Sequence, residues 1–417
     1  MANIVKDGYS GSIEDYRKEG GYTAISKAVL EMKPDDVIEE VKKSGIRGRG
    51  GAGFPMGIKW GFVPKDSPKP RYFLNNCDEG EPGTFKDRAL ITHDPHMVLE
   101  GQIIGSFAIG CNVSYIYIRG EFYHEAKILE RAIKEAEDAG FLGDNILGSG
   151  FSHRIYVHRG AGSYVCGEET GLIESLEGKR GWPRNKPPFP AIEGVFRCPT
   201  IVNNVETIAN VPFIINNGGE TFASIGVEKG TGTKIYGISG HVNKPGLYEF
   251  PMGISLKELI YEHAGGIRNG NKLKAVIPGG VSMPVLTADE IDVKMDFDSL
   301  AAIGSHLGSG GVVVMDDTVC MVDALLNLST FYAHESCGQC TPCREGMPWM
   351  KMVVDRIEHG NASEADVDLL YDIACNIEGR TICAMGEAGA WPVKAFVSKF
   401  KDEFLEHVKL GKCPFSK

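Results

Sequence analysis

The chain has 417 residues, 42% hydrophobic and 24% charged, with 44 basic against 55 acidic side chains and a formal net charge of −11. That length predicts two to four domains of ordinary globular composition. An acidic balance without long like-charge runs argues against a nucleic-acid or anionic-membrane binder.

Residues 1–60 read as a small helical lead-in. Pro34 suits a first helical position, Asp35 and Asp36 favour the positive end of the helix dipole, and Val37, Ile38 and Val41 make one apolar face. Gly45 ends that helix, and the glycine-rich run Arg47-Gly48-Arg49-Gly50-Gly51-Ala52-Gly53 follows. The first 20 residues carry neither the basic flank nor the apolar core of a secretory signal.

Over 61–225 strands and helices alternate: Tyr72–Leu74 strand, Met97–Ile109 helix, Tyr115–Ile118 strand, Tyr123–Ala139 helix, Ile155–His158 strand and Glu168–Leu176 helix. Such alternation predicts a mostly parallel, doubly wound α/β sheet. The apolar stretch Ile103–Ile118 is broken by Gly105, Gly110, Asn112 and Ser114, so it predicts a buried helix and strand, not a membrane span. Over 226–317 come short strands with Gly/Pro turns (Lys234–Ile238, Gly246–Glu249, Lys274–Ile277, Gly311–Val314) and one helix, Leu256–Ala264, which fits a small α+β domain. Residues 318–417 read as nearly all helix, with breaks at a cysteine cluster and at Gly379–Gly389. A cytosol-type protein without direct membrane insertion is expected.

Most of the 11 cysteines are expected to be small, buried, reduced residues. Cys337, Cys340 and Cys343 are different: two successive C-x2-C spacings turn three thiolates toward one inorganic cluster, with a fourth ligand from elsewhere. Cys375 lies in an apolar helical pattern with Leu369, Leu370 and Ile373 and suits packing; Cys383, in a loop that ends at Gly386, is the favoured fourth ligand. A structural zinc site is the alternative, although such sites more often use separated pairs or histidine.

Gly48, Gly50 and Gly53 match G-x-G-x-x-G, but the run follows a helix instead of a strand, so a plain dinucleotide fingerprint fails on context. The glycines still permit close backbone approach to a phosphate or flat ring, with Arg47, Arg49 and Lys59 supplying positive charge. The polar loop from Asn75 to Gly83 follows a strand, the run from Gly160 to Thr170 repeats that arrangement, and Val202 to Thr207 is expected to start another helix. Three polar loops at strand ends suit a nucleotide or flavin in a crevice better than a metal.

With the long runs RGRGGAGFPMGIKW (47–60), DEGEPGTFKDR (78–88), GAGSYVCGEET (160–170), NNVETIANVPF (203–213) and ESCGQCTPCREG (335–346), the chain closely resembles the 51-kDa flavoprotein subunit of respiratory complex I, bacterial type, from about residue 14 to 410. The resemblance implies a Rossmann-like FMN domain after the lead-in, a ubiquitin-like (β-grasp, SLBB) domain and a C-terminal four-helix Fe–S domain. It implies FMN contacts at Gly48, Arg49, Gly50, Lys59, Asn76, Asp78, Tyr164, Glu168, Val202, Asn203, Asn204 and Thr207. NADH would meet Gly51, Phe54, Phe62, Glu81, Glu169, Lys186 and Phe189, although each phenylalanine taken singly suits a core position better. Its cluster ligands map onto Cys337, Cys340, Cys343 and Cys383, which hold one [4Fe–4S] cluster. Many members carry alanine and serine where this chain has Cys77 and Gly80.

The implied function is NADH oxidation by hydride transfer directly to FMN, with no separate catalytic residue, then one-electron transfer through the cluster toward quinone. The implied partners are a small [2Fe–2S] thioredoxin-like subunit and a large Fe–S subunit, which would hold the chain at the cytoplasmic face of a membrane. The same module serving an NAD-linked hydrogenase or formate dehydrogenase is the alternative. Those often carry further domains, whereas here Cys413 stands alone and nothing precedes the lead-in, which favours complex I. A non-catalytic Fe–S scaffold would not need the glycine loop, polar crevice and cysteine cluster together.

Overall fold

The structure, a computed structural model, describes residues 6–415; the first five residues of the lead-in, part of the stretch where no secretory signal was expected, lie outside the described residues. The chain forms two compact units. One runs through Gly80, then Phe85–Ile235 and Glu249–Gly253; the other takes Glu81–Thr84, Tyr236–Tyr248 and the chain from Ile254 onward.

The first unit opens with helices α1 (Ile13–Lys18), α2 (Thr23–Glu31), α3 (Pro34–Lys43) and α4 (Met56–Gly61). In α3 the Asp36 carboxylate accepts from the Lys33 amide, and Val37, Ile38 and Val41 are buried, as the sequence predicts. Then follow β1 (Tyr72–Cys77), α5 (Lys86–His93), α6 (Pro95–Ile109), β2 (Val113–Ile118), α7 (Tyr123–Asp138), β3 (Arg154–Arg159), α8 (Glu169–Leu176), β4 (Thr200–Asn204), α9 (Val205–Ala209), α10 (Val211–Asn217), α11 (Gly219–Ala223) and the short antiparallel pair β5 (Gly226–Val227) and β6 (Gly230–Thr231).

Strands β1–β4 form a wholly parallel sheet in the order β3-β2-β1-β4. Helix α6 is buried almost all round. Its glycines allow close approach: a Cβ on Gly105 would stand 2.7 Å from the Phe73 ring, and one on Gly101 would stand 2.2 Å from the Ile208 carbonyl oxygen. The apolarity of this stretch is that of a core helix, and no helix among the described residues is long and apolar enough to cross a membrane. Strand β4 departs from the expected helix start at Val202. The chain stays extended through Asn204, and the helix begins at Val205 with the Asn204 side chain accepting from the Glu206 amide. Asparagines read as turn residues, but here the Trp60 indole donates to Asn203 Oδ1 at 2.9 Å and satisfies it inside a strand.

The second unit contains β7 (Thr233–Gly240) from Tyr236 on, β8 (Gly246–Pro251) as far as Tyr248, α12 (Leu256–Glu258, widening into a π turn over Leu259–His263), β9 (Leu273–Ile277), β10 (Leu286–Thr287), α13 (Phe297–Ala302) and β11 (Gly311–Asp316), in the sheet order β10-β9-β11-β7-β8. Strand β11 runs parallel to β7 and antiparallel to β9, a mixed α+β sheet. Five helices follow: α14 (Met321–Glu335), α15 (Thr341–Glu358), α16 (Glu364–Ile377), α17 (Met385–Lys399) and α18 (Lys401–Leu410). The first four pack in sequence and close α14 on α17, and α18 packs across them. The expected break at Gly379–Gly389 is shorter, because Gly386 and Gly389 lie inside α17. Both are packing glycines: a Cβ would stand 2.2 Å from Thr381 Oγ1 and 2.4 Å from Met347 Sδ, respectively.

Candidate functional site

From β1 the chain moves outward to β2 and β3, then returns to place β4 on the other side of β1. The connections leaving the C-terminal ends of β1 and β4 therefore diverge, and in an open parallel sheet this switch point is where a ligand crevice forms. Local hydrogen bonds gather the predicted residues around it. The Gly48 amide donates to the Phe54 carbonyl at 2.9 Å and closes the glycine-rich loop, while the Arg49 amide reaches Thr207 Oγ1 at 2.8 Å. A Cβ on Gly50 would stand 3.1 Å from Asn204 Cβ, so the loop backbone lies against the end of β4. Gly51 adopts φ 127°, a conformation that favours glycine. Lys59 Nζ donates to the Val202 carbonyl at 3.0 Å. Asn76 Nδ2 donates to the Gly167 carbonyl at 2.8 Å and its Oδ1 accepts from the Asp78 amide at 3.1 Å. Gly80 approaches Tyr164, where a Cβ would stand 3.2 Å from the ring.

One predicted side chain points elsewhere. The Arg49 guanidinium is fully buried and donates to the Thr231 and Thr233 carbonyls at 2.7 and 3.1 Å. The Arg49 guanidinium therefore braces the fold, and its amide is already given to Thr207 Oγ1. Cys77 is also fully buried, and burial pushes its thiol well above the usual range.

The charged rim comes from α4, α8 and the segment after α8. Glu168 is the N-cap of α8, its carboxylate accepting from the Thr170 and Gly171 amides at 2.8 and 2.9 Å. Glu169 makes no cap. It sits between Lys186 Nζ at 2.6 Å and Lys59 Nζ at 3.8 Å. Burial lowers the Lys59 pKa against the opposing pull of Glu169. Phe54, Phe62 and Phe189 are 44%, 52% and 58% exposed, so these rings are open to a partner and are not core residues. Phe54 and Phe62 face each other with centroids 6.0 Å apart. Glu81 falls in the other unit, where its carboxylate accepts from Ser282 N and Oγ at 2.8 and 2.7 Å.

Beneath the crevice lies a set that sequence reasoning missed. Lys86 Nζ contacts Asp87 Oδ1 at 2.6 Å, Glu206 Oε2 at 3.0 Å and Asn204 Oδ1 at 3.2 Å; Lys234 Nζ contacts Glu206 Oε2 at 2.9 Å. Asn204 Nδ2 donates to Asp87 Oδ2 at 2.6 Å. All four charged side chains are buried. Despite that burial, Lys234 and Lys86 hold Glu206 at about 2, while burial brings Lys234 down to about 8. Two ammonium and two carboxylate groups balance, and together they fix Asn204 at the end of β4. The Lys-Asp pair of the run 78–88 was visible in the sequence; its burial was not.

In the second unit, Cys337 and Cys340 lie in the loop before α15 and Cys343 in its first turn. Burial pushes the Cys343 thiol up to about 11, Ser336 Oγ at 3.1 Å opposes this, and the neighbouring Cys340 and Cys337 raise it further. Cys383 occupies the loop between α16 and α17, where its carbonyl accepts from Thr381 Oγ1 at 2.8 Å. Cys375 lies within α16, near enough to Lys394 to help raise its pKa, well along α17 from the Cys383 loop.

These donor sets suit a flavin phosphate and an iron–sulfur cluster. A close-packed glycine loop beside the Lys59 ammonium suits the approach of a phosphate or a flat ring, and thiols in a loop suit iron. Three family models match the chain: the Nuo51 FMN-binding domain over residues 41–213, the SLBB domain over 234–314 and the NADH-ubiquinone oxidoreductase-F iron-sulfur binding region over 323–407. The F 2 subunit of NADH-quinone oxidoreductase from Rhizobium meliloti (strain 1021) is 52% identical over 99% of this chain and 97% of its own length. The F subunit of NADH-quinone oxidoreductase from Rickettsia typhi is 56% identical over 94% of this chain and 93% of its own. Among solved structures, an NAD+-reducing [NiFe]-hydrogenase in the air-oxidized state matches with TM-score 0.83 and 34% identity over 93% of this chain, which spans 64% of that hydrogenase chain. With full-length relatives above half identity and all three domain models in order, this chain belongs to the family of NADH-quinone oxidoreductase F subunits.

Proposed function

We propose that the chain binds FMN in the switch-point crevice, oxidises NADH there and passes the electrons on through one [4Fe–4S] cluster. The observation that carries this reading is the glycine-rich loop packed against the end of β4 beside Lys59, in a chain that also has Cys337, Cys340 and Cys343 at C-x2-C spacings. When bound, FMN supplies a hydride acceptor that releases electrons singly, and the cluster supplies a one-electron acceptor.

In this proposal the loop at Gly48, Arg49 and Gly50, closed on itself and against Thr207, lies beside the flavin, and Lys59 faces its phosphate. Asn76, Asp78, Tyr164, Glu168, Val202, Asn203 and Asn204 surround the remainder. Gly51, Phe54, Phe62, Glu169, Lys186 and Phe189 receive the nucleotide, the exposed rings stacking on adenine. Cys383 completes the cluster ligands. We assign the lead-in to 1–60, the FMN and NADH domain to 61–225, the SLBB domain to 226–317 and the cluster domain to 318–417. The family implies other subunits of one complex. We propose a small [2Fe–2S] thioredoxin-like subunit and a large Fe–S subunit, holding this chain at the cytoplasmic surface of a membrane. The hydrogenase structure favours a second reading, the equivalent subunit of an NAD-linked hydrogenase; the large subunits that co-purify with the chain discriminate between hosts.

The test uses the purified chain loaded with FMN and cluster. It should reduce ferricyanide with NADH and leave quinone unreduced. Cys383→Ala should abolish or convert the tetranuclear electron-resonance signal and Cys375→Ala should keep it; an unchanged signal in Cys383→Ala refutes the ligand assignment.

A further inference from the structure

At the end of the helical region away from the thiol loop, four side chains bring metal-ligating atoms together: Cys320, Glu358, His407 and Cys413, every pair within 4.8 Å. Cys413, alone in the sequence, therefore has companions. Cys320 caps α14, Glu358 is the last residue of α15, His407 lies on α18 and Cys413 lies just beyond α18. Helix α15 has 18 residues and rises about 1.5 Å per residue, so roughly 27 Å of helix separates this group from the thiol loop.

The distances match one geometry. Two sulfurs at about 2.3 Å from a tetrahedral zinc stand about 3.8 Å apart, a sulfur and a nitrogen or oxygen ligand about 3.6 Å, and nitrogen and oxygen about 3.3 Å. Cys320 Sγ lies 3.7 Å from Cys413 Sγ, 3.5 Å from Glu358 Oε2 and 3.2 Å from His407 Nε2, and His407 Nε2 lies 3.2 Å from Glu358 Oε2. The supporting contacts are those of a ligand set. His407 Nδ1 lies 2.7 Å from the Glu403 carbonyl, to which it donates, leaving the Nε2 lone pair directed at the thiols. The Asp323 amide donates to Cys320 Sγ at 3.3 Å, which favours the thiolate. Two thiols and a carboxylate converge around an imidazole, and the nearby Lys274 is engaged with the Val319 carbonyl at 2.6 Å and Glu403 at 2.7 Å.

We propose that Cys320, Glu358, His407 and Cys413 bind one zinc(II) ion. Thiolate and imidazole ligands select zinc over harder cations, and four protein ligands close the shell, so the site is structural, not catalytic. It fastens the segment after α18 to the start of α14 and the end of α15. Gly360 marks the same fastening: a Cβ there would stand 2.0 Å from the Gly411 carbonyl oxygen.

Elemental analysis of the purified holoprotein should find about one zinc per chain besides the cluster iron, with zinc-edge absorption giving two sulfurs at about 2.3 Å and two nitrogen or oxygen ligands at about 2.0 Å. Cys413→Ser and His407→Gln should each lower zinc at least about tenfold and leave the iron signal intact. Wild-type protein with under about a tenth of a zinc per chain overturns the proposal. So does an all-sulfur zinc shell, which would place the metal in the thiol loop, or an intact mass lighter by two hydrogens, which would indicate a Cys320–Cys413 disulfide. If His407→Gln does not fold, Cys413→Ser in the half-exposed tail still gives the reading, and the wild-type analysis needs neither variant.

Discussion

The first unit holds two sets of lysines and carboxylates made from the same chemistry in opposite surroundings. Lys86, Asp87, Glu206 and Lys234 have side chains no more than 4% exposed, whereas Lys59, Glu169 and Lys186 are 26%, 27% and 29% exposed. In the buried set each charge depends on its partners, because water cannot replace them. In the open set each side chain keeps about a quarter of its surface in water, so the pairs are weaker than buried ones and can exchange a partner for a ligand group. Solvent thus separates a set that positions Asn204 from one that can meet a substrate.

The largest expected effect tests the buried set. Lys86→Ala leaves Asp87 and Glu206 short of a cation and should destabilise the chain by about 3–5 kcal/mol in urea unfolding. Lys186→Ala should cost less than about 1 kcal/mol and raise KM for NADH instead. Equal destabilisation by the two variants would erase the distinction.

A smaller effect sharpens the role of the open set. Because Glu168 supplies the α8 cap, replacing Glu169 should leave thermal stability nearly unchanged. Without its carboxylate, Lys59 loses its acidic partner and Lys186 keeps only Glu168 at 3.2 Å, so the added positive charge favours a 2′-phosphate. Glu169→Gln should therefore narrow the NADH over NADPH preference in kcat/KM by about tenfold, or about 1.4 kcal/mol. Steady-state kinetics with both nucleotides measure it, and an unchanged ratio removes Glu169 from specificity.

A pH-dependent effect concerns Glu79, which caps α5 by accepting from the Asp87 and Arg88 amides at 2.8 and 3.0 Å. Burial, reinforced by Asp87, pushes its pKa up to about 7. The folded state therefore binds a proton that the unfolded chain has released. Its stabilising contribution is complete below the unfolded pKa of about 4.3 and is lost as pH rises through 7. Thermal unfolding across that window should show stability falling as pH rises, a slope that Glu79→Gln flattens; a pH slope unchanged by the substitution would contradict the assignment.

Legibility followed locality. The α3 start and the alternation that gives β1–β3 are short-range patterns, and each lies where the sequence predicted; the C-x2-C spacing at 337, 340 and 343 is a pattern of the same short range. Strand β4 was read as a helix start because Asn203 and Asn204 are turn formers in isolation, and only Trp60, 143 residues away, satisfies Asn203 within the sheet. The phenylalanines at 54, 62 and 189 were read singly as core because hydrophobicity alone cannot tell a buried ring from one exposed on a rim.

The sequence by itself determined the kinds of element, the glycine-rich loop and the local thiol spacing, because dihedral preference and helix or strand periodicity act over a few residues. Only the tertiary structure decided that β4 returns beside β1 and creates the crevice. It also turned the Arg49 guanidinium inward, buried Lys86 with Glu206, and brought Cys413 to Cys320 across 93 residues. Those outcomes depend on which groups share space away from water, and burial sets both the cost of an unpaired charge and the pKa of a thiol.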